Sequence, residues 1–508
     1  VSVLLLAACG LGAGDRLPPG QGDLVVAYGA RGDGEIEPCG CPKRPLGGLA
    51  RRNTVIEQER ATGADLVVEA GGSLAAELAD PAADLDQRRA KASLIARAWH
   101  LAGVDAVAFS EADWALGTAF LREVVRHEEL PVLAANLTCD GVAPFPASRK
   151  VTTPQGTVGV VGVATGAVGG CVVGDPRAAL ERAVAELGRV DLVLGLLPFD
   201  QDGTLRPVLE DGLGIDVAID ARGRVAGIPA EKIGTTWLVG AGTGARSVAL
   251  LTMSLDPART GWAPAGLSER VTEKQATARE RVASLETRLQ NTTLDAPTRK
   301  RLEQQRDGYR RQIDTLEAEI TALAHGTTQT FTTRTVDLDD QIPDQEATAA
   351  AVAETKRAIT VAASGGVDPA TFVPRTVGQG PYFGGEGCVS CHKSEHAQWS
   401  QTGHARAWNA LVAADRALDT ECWSCHVTGA GQPGGPPSAA ASGPWRDVQC
   451  EACHGPSRDH AASPATVDSI AVPPLETCTT CHDGERDGGR FHPPTYVPKV
   501  VHMERSRP

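Results

Sequence analysis

The chain has 508 residues, a formal net charge of −14, 42% hydrophobic residues and only 4% aromatic ones. That length exceeds what one apolar core serves, so two to four domains are expected. The acidic balance argues against nucleic acid as a partner.

The chain opens on a short apolar run, Val1 to Ala8, that ends in L-A-A-C-G. Small residues before Cys9 give the run the form of a bacterial lipobox, in which the Cys9 thiol carries lipid and becomes the mature N-terminus. The alternatives are an ordinary signal remnant or a buried strand. No other apolar stretch reaches membrane-spanning length. Residues 10–22 are a tether rich in Gly, Pro and Asp.

From Asp23 to Asp256 short apolar runs alternate with helical patterns. Strands are expected at Leu24–Tyr28, Asp65–Ala70, Val104–Ser110, Val132–Asn136, Val158–Val163, Asp191–Leu197, Asp216–Ile219, Trp237–Ala241 and Val248–Leu255. Helices are expected near 48–61, 88–101, 117–128 and 176–188. This alternation points to an α/β layered domain over 23–256.

Residues 267–325 are rich in Arg, Glu, Gln and Leu. Leu302, Tyr309, Leu316 and Leu323 recur every seven residues, with Ile313 and Ile320 between them. Ala278, Val282, Leu285 and Leu289 keep the same rhythm, and Asn291 to Pro297 breaks it. The pattern predicts an antiparallel helical hairpin of coiled-coil type, read as a spacer in preference to a docking arm. A strand at Gln329–Leu338 and a helix at Asp344–Ala362 extend the chain. A Gly/Pro-containing linker, 363–381, leads to the last region, 382–508.

That region holds C-V-S-C-H (Cys388 to His392), C-W-S-C-H (Cys422 to His426), C-E-A-C-H (Cys450 to His454) and C-T-T-C-H (Cys478 to His482). This is the c-type haem attachment spacing. Two thiols three positions apart, here Cys388/Cys391, Cys422/Cys425, Cys450/Cys453 and Cys478/Cys481, add to the two vinyl groups of one haem. The following His392, His426, His454 or His482 is then held under the iron. One match could be a zinc knuckle; four, each ending in His, favour four covalent haem groups. Eight of the 13 cysteines are thereby assigned, leaving Cys9, Cys39, Cys41, Cys139 and Cys171. Haem c attachment and the lipobox agree on an extracytoplasmic, lipid-anchored location.

Several pieces of 23–256 resemble the 5′-nucleotidase-like metallophosphoesterases. They are L-V-V-A-Y-G-A-R-G-D-G-E-I-E-P-C-G-C, G-G-L-A-R-R (Gly47 to Arg52), L-V-V-E-A-G-G (66–72), P-V-L-A-A-N-L (Pro131 to Leu137), D-L-V-L-G-L-L-P and G-I-D-V-A-I-D-A-R-G-R. The resemblance implies a four-layer αββα sandwich and two metals held by Asp, Asn and His ligands. At the corresponding positions this chain has Arg31, Asp33, Gly72, Glu111, Ala112, Pro198, Arg222 and Arg224. A guanidinium does not ligate a metal, so the resemblance implies a scaffold that has lost hydrolysis. Arg31, Arg222 and Arg224 then either pair with Asp33 and Glu111 or form an anion site. The E-P-C-G-C segment resembles a branch in which the first Cys position can be selenocysteine. Cys39 and Cys41 are therefore either redox-active thiols or structural ones, paired for example with Cys139 and Cys171.

Residues 382–508 resemble the tetrahaem cytochrome c-554 family. The resemblance rests on Y-F-G-G-E-G-C-V-S-C-H, W-S-Q-T-G-H-A, E-C-W-S-C-H-V-T-G, V-Q-C-E-A-C-H-G-P and Y-V-P-K-V-V-H. It implies distal ligands at His404, His460 and His502, leaves His396 and His492 outside the ligand set, and implies an open iron at the second motif. The expected function is electron transfer between redox partner proteins, other cytochromes among them, with the N-terminal domain binding a partner or ligand. The rivals are a haem oxidoreductase acting on a small nitrogen or sulfur species, and a residual nucleotide hydrolase.

Overall fold

The computed structural model describes residues 22–39, 45–76, 85–199, 202–221, 229–256, 259, 261–325, 328–364, 380–419, 422–430, 432–436, 442–464, 473–482 and 490–502. Cys9, Cys41, Arg222, Arg224, the side chain of Cys39 and most of the 363–381 linker lie outside the described residues.

The N-terminal unit opens with β1 (Asp23–Gly29), the short β2 (Pro38–Cys39) and β3 (Leu46–Gly47), α1 (Leu49–Thr62) and β4 (Leu66–Glu69). Next come α2 (Leu85–Ala102), β5 (Ala106–Val107), α3 (Glu111–Trp114), α4 (Thr118–His127) and β6 (Leu137–Cys139). β7 (Ser148–Thr152), β8 (Thr157–Gly162), β9 (Cys171–Val173), α5 (Pro176–Leu187), β10 (Leu192–Leu197), α6 (Asp202–Leu209) and β11 (Val217–Asp220) follow. The unit continues through β12 (Glu231–Ile233), β13 (Thr236–Gly240), β14 (Ser247–Ser254) and β15 (Trp262–Pro264). Helices α7 (Leu267–Leu289) and α8 (Ala296–His325) precede β16 (Gln329–Asp337) and α9 (Glu346–Ser364).

Two six-stranded sheets result, ordered β15-β16-β14-β1-β4-β5 and β12-β13-β11-β10-β8-β7. β1, β4 and β5 run parallel in the first; β8, β10, β11 and β13 run parallel in the second. The parallel strands are nearly unbroken apolar runs because both of their faces are buried. Leu24, Val26, Leu66 and Val68 of one sheet meet Val158, Leu194 and Ile219 of the other in one cluster. On the outer face of the first sheet, Val67, Ile56, Ile95, Trp99 and Val352 bring α1, α2 and α9 into a second cluster. On that of the second, Leu180, Leu187 and Leu205 of α5 and α6 cover Val161 and Ala218.

Two features differ from the sequence expectations. The strand expected at Val132–Asn136 reduces to a single bridge between Val132 and Val107. There the chain turns because the Asn136 amide is engaged by the backbone of Ala164, its N–H at 2.8 Å and its carbonyl at 3.0 Å. The expected extension over 326–362 is instead integral to the N-terminal unit. β16 pairs with β14 from Ser247↔Asp337 to Ser254↔Thr330, and α9 packs on α1 and α2. The Asn53 side-chain amide donates to Thr348 Oγ1 at 2.9 Å across that contact. The α7–α8 pair is thus an insertion between two neighbouring strands. Its ion pairs, Glu286 with Arg310 and Arg279 with Glu317, step in opposite directions along the two helices, an antiparallel register. Ala278, Leu285, Leu302 and Leu316 are buried along the seam, so the hairpin satisfies its own apolar stripe.

The C-terminal module has little regular structure. Its helices are α10 (Gly385–Cys388), α11 (Lys393–Trp399), α12 (Ala407–Ala413), α13 (Trp423–His426), α14 (Cys450–His454), α15 (Arg458–Ala462), α16 (Leu475–Thr479) and α17 (Pro493–Tyr496). Its buried apolar cluster is small: Tyr382, Trp408, Leu411, Leu418, Trp423, Val427, Ala430 and Trp445. Among the described residues no helix is long and apolar enough to cross a membrane.

The module docks on the N-terminal unit through charges. Lys91 Nζ of α2 lies 2.7 Å from Asp419 Oδ1, and Arg416 Nη2 lies 2.9 Å from Asp419 Oδ2. Arg416 also reaches Glu35 at 3.2 Å, and Lys356 of α9 binds Glu37 at 2.9 Å and the Ala414 carbonyl at 3.2 Å. Burial pushes the Asp419 carboxyl up, but Lys91 and Arg416 outweigh it and hold the group at about 2, below its ordinary 3.8. A depressed carboxyl stabilises above its unfolded value and loses that contribution as pH falls through the folded one. The difference in stability between wild type and Asp419→Asn, followed by thermal melting, should therefore shrink as pH falls from about 4 toward 2.

Candidate functional site

Two candidate regions emerge, one at the strand ends of the N-terminal unit and one in the C-terminal module. At the first, the loops after β1, β4, β5 and β10 converge. Arg31 and Asp33 both have positive φ, 50° and 52°, and pair with each other, Nε to Oδ1 at 3.4 Å. A Cβ on Gly71 would sit 2.6 Å from Pro198 Cβ and 3.0 Å from Ser110 N, so glycine is required there. A Cβ on Gly166 would meet Glu111 at 2.4 Å. Arg31, Asp33, Gly72, Glu111 and Pro198 are thus brought to neighbouring loops at the same strand ends. Among the described residues no three His, Cys, Asp or Glu side chains group so as to hold a metal ion.

One polar residue in this region was missed by sequence reasoning. Asp113 is buried, and its carboxylate accepts from the backbone N–H of Gly72 at 2.7 Å, Leu74 at 2.8 Å and Ser110 at 2.9 Å. Burial pushes it up to about 6, against those hydrogen bonds. It caps α3 and ties the Gly71–Leu74 loop to it. The S-E-A-D spacing of a capping box was the available signal.

Cys139 and Cys171 are joined in a disulfide between the adjacent strands β6 and β9. This corrects the alternative in which they pair with Cys39 and Cys41. Just ahead of Cys39, Glu35 contacts Arg416 of the C-terminal module, and Glu37 holds Lys356, which donates to the module's Ala414 carbonyl.

In the C-terminal module each Cys-x-x-Cys-His run is a tight turn. The His392 and His482 N–H groups donate to the Cys388 and Cys478 carbonyls at 2.9 and 3.0 Å. The four turns follow one another in a definite order. Cys388 and Cys450 are in hydrogen-bond contact, Cys453 lies within electrostatic reach of Cys478, and Cys481 Sγ lies 3.7 Å from the Ser424 carbonyl. First, third, fourth and second motifs therefore form a chain.

The eight motif cysteines are not equivalent. Cys388, Cys422, Cys425, Cys450, Cys453, Cys478 and Cys481 are half-buried, whereas Cys391 is exposed. The two sulfurs of the first motif differ in exposure, Cys388 half-buried and Cys391 at the surface. The reason is local: Cys391 sits in the turn between α10 and α11, and Cys388 is the sulfur that meets the third motif. Ser390 Oγ lies 3.7 Å from Cys391 Sγ. A thioether bond needs its sulfur at the haem edge, not inside the protein, so exposure is compatible with attachment at Cys391.

Imidazoles from distant segments face the motif histidines. Ring centres are 6.4 Å apart for His392 and His460, 6.3 Å for His482 and His404, and 6.1 Å for His454 and His502. Burial, then the neighbouring His482, lower the His404 pKa, which favours the neutral, ligating ring. His426 differs. Its Nδ1 donates to the Ala407 carbonyl at 2.6 Å, which leaves Nε2 as the acceptor. Among the described ring contacts no second imidazole lies across from it. His396 packs on Trp399 at 5.2 Å while its buried Nε2 has no protein hydrogen-bond partner, and His492 Nδ1 bonds Thr495 Oγ1 at 2.9 Å.

These residues fit haem. Two imidazoles on opposite sides of one metal, each nitrogen about 2 Å from it, have ring centres roughly 6.3 Å apart. Buried Trp423 Nε1, Trp445 Nε1 and Arg446 Nε have no protein partner, and such donors suit the carboxylates that haem carries. Glu451, inside the third motif, anchors the turns: its buried carboxylate accepts from Phe383 N at 2.8 Å, Gly384 N at 2.7 Å and Ser457 N at 2.8 Å.

Turns of this kind, with imidazoles set opposite them, define a c-type cytochrome module joined to an α/β unit. Residues 387–455 match the family described as Cytochrome c554 and c-prime. Over 94 residues the chain is 35% identical to cytochrome c-554 of Nitrosomonas europaea, a match covering 16% of this chain and 40% of that protein. The chain thus spans less than half the length of that relative. By structure it is similar to a 5′-nucleotidase precursor from Thermus thermophilus, with 14% identity and a TM-score of 0.47 over 67% of this chain and 59% of that one. It is also similar to the Thermus thermophilus sulfate thiohydrolase SoxB, with 19% identity and a TM-score of 0.40 over 47% and 55% of the two chains.

Removing either carboxylate anchor should be costly, since each leaves three buried N–H groups without an acceptor. Asp113→Ala and Glu451→Ala should each lower stability by roughly 2–4 kcal/mol in urea titrations. A loss below about 0.5 kcal/mol would mean that water replaces the carboxylate.

Proposed function

We propose that the chain is an extracytoplasmic, lipid-anchored electron-transfer protein carrying four covalent haem groups on its Cys-x-x-Cys-His motifs. The observation behind this reading is the set of three imidazole pairs at 6.1–6.4 Å, each joining a motif His to a His distant in sequence. Bound haem iron supplies one-electron exchange, and two imidazole ligands keep it low-spin and closed to small molecules. In this reading three of the four irons would be held between facing rings, His392/His460, His454/His502 and His482/His404, and the motifs follow one another in the order first, third, fourth, second. In this reading electrons pass along that order of motifs to a redox partner, such as another cytochrome.

The N-terminal unit, in this reading a four-layer αββα sandwich with an inserted helical hairpin, is a scaffold for partner or ligand binding and not a phosphoesterase. Arg31, glycine at 72 and proline at 198 offer a metal nothing to coordinate, and the Asp33 carboxylate beside them is paired with Arg31. Elemental analysis should find iron but no pair of manganese or zinc ions per chain. Two such ions together with nucleotide hydrolysis would overturn this part.

A second reading is favoured by His426, which faces no imidazole among the described ring contacts. An iron there with one free side could act on a small nitrogen or sulfur species, making the protein a haem oxidoreductase. Carbon monoxide added to the reduced protein separates the two: a carrier with four closed irons shows no spectral change.

The ligand assignments are tested together. A pyridine haemochrome assay should give four haem groups per chain; two or fewer would end the tetrahaem reading. His404→Ala, His460→Ala and His502→Ala should each add one high-spin haem and shift its potential. His396→Ala and His492→Ala should leave the spectrum unchanged. A new high-spin haem from either of the latter would assign that residue to the second iron.

A further inference from the structure

The contacts that dock the C-terminal module converge on residues 414–419, the stretch just ahead of Cys422. They build a quartet of charges on a line. Glu35 and Lys91 come from the N-terminal unit; Arg416 and Asp419 come from the module. Each side supplies one cation and one anion, so the quartet is formally neutral. Lys91 is 1% exposed, Arg416 and Asp419 8% each. Bulk water therefore screens these groups little, and the field of each reaches far.

The quartet abuts the second haem motif. The Asp419 carbonyl accepts the Cys422 N–H at 3.1 Å. The Cys422 thiol here stands in for the sulfur that links to haem. Burial pushes it up most, Asp419 and Glu35 add to the effect, and Arg416 and Lys91 oppose it. All four charges are thus felt at the attachment sulfur of the second motif. That motif is also one end of the chain of turns, and its His426 faces no imidazole among the described ring contacts.

We propose that Lys91 and Glu35, residues of the α/β unit, tune the reduction potential of the haem attached at Cys422 and Cys425, so that the N-terminal unit sets the energy of the terminal redox centre by docking on it. The inference rests on the reading of that motif as a haem site. Reduction adds one electron to the iron. A negative charge left uncompensated nearby opposes it; an uncompensated positive charge favours it. Lys91→Met leaves the quartet one charge negative and lowers the potential. Glu35→Gln leaves it one charge positive and raises it. The double variant is neutral again and returns it. Lys91→Arg keeps the charge and leaves it in place. Residues that merely hold two domains together would not give opposite signs, because losing either one loosens the same contact. Both are positioning residues, with no contact to a reacting group.

The test is an optical redox titration of the full, haem-loaded chain in wild type and these four variants. Each single charge change should shift one centre, in opposite directions for Lys91→Met and Glu35→Gln. A tenfold change in its ferrous to ferric ratio at a fixed potential corresponds to about 59 mV for one electron. Same-sign shifts, no shift in either, or a double variant that fails to return would overturn the proposal. The spectrum reports separately on the site reading. If the second iron is open, the shifting centre carries the high-spin band; if it is closed, a low-spin band moves, and the tuning still stands. A protein lacking haem at Cys422 and Cys425 would fail the site reading itself, recognised by three haem groups per chain. Should Lys91→Met fold poorly, Lys91→Gln gives the same sign, and Glu35→Gln with Lys91→Arg still decides between electrostatics and packing.

Discussion

The C-terminal module depends on imidazoles held opposite one another across a gap of about one metal ion. Its own apolar cluster has eight members, against the far larger clusters of the N-terminal unit. A segment this long with so small a core does not cover the cost of ordering its backbone by apolar burial alone. Ligation changes the balance. A metal bound only by the folded chain converts binding free energy into folding free energy. The three facing pairs each tie a motif turn to a segment elsewhere: His460 to the first, His502 to the third, His404 to the fourth. In the proposed reading, covalent attachment and axial ligation do in this module what β-strand pairing does in the other.

The N-terminal unit solves the opposite problem. The parallel strands of its two sheets are buried on both faces, and their ends converge on the cluster around Arg31, Gly72 and Pro198. Glycine at 71 is still needed by Pro198 and Ser110, and Asp113 still holds the loop that follows. Arg31 lies in that corner, paired with Asp33. Packing constraints and ligand chemistry are separable: the first belong to the backbone, the second to a few side chains.

What could be read along the chain was what is local. The Cys-x-x-Cys-His spacing is complete within five residues, and buried strands such as Leu192–Leu197 announce themselves by apolar runs bounded by turns. Spacing alone could not tell the exposed Cys391 from its enclosed neighbour Cys388, because that difference arises from the third motif packing on one side only. The facing histidines were reached through resemblance, since no local rule links His460 to a turn so far back in the chain. The insertion of the α7–α8 hairpin escaped for the same reason. Q-T-F-T-T-R-T-V-D reads as a strand, but nothing in it says that it lies between β14 and β15. Cys139 and Cys171 gave no sign of their pairing until β6 and β9 placed them side by side. Asp419 was invisible altogether, because one carboxylate in a short loop looks like solvated surface until Lys91 and Arg416 bury it.

That carboxylate joins the two halves in physical terms. Burying an ion pair yields little net stability, because desolvation offsets most of the attraction. A quartet of buried charges is thus a poor way merely to glue two domains. An apolar contact of the same size would hold as well, and Leu418 shows that apolar residues are at hand in the loop. What buried charges supply is specificity of register and a fixed electric field. Here the register seats the residues just ahead of Cys422 against α2, and the field falls on the motif whose histidine lacks a facing ring among the described contacts. In the proposed reading such a site gains most from a fixed field, since among the described ring contacts no second imidazole faces it to set its potential.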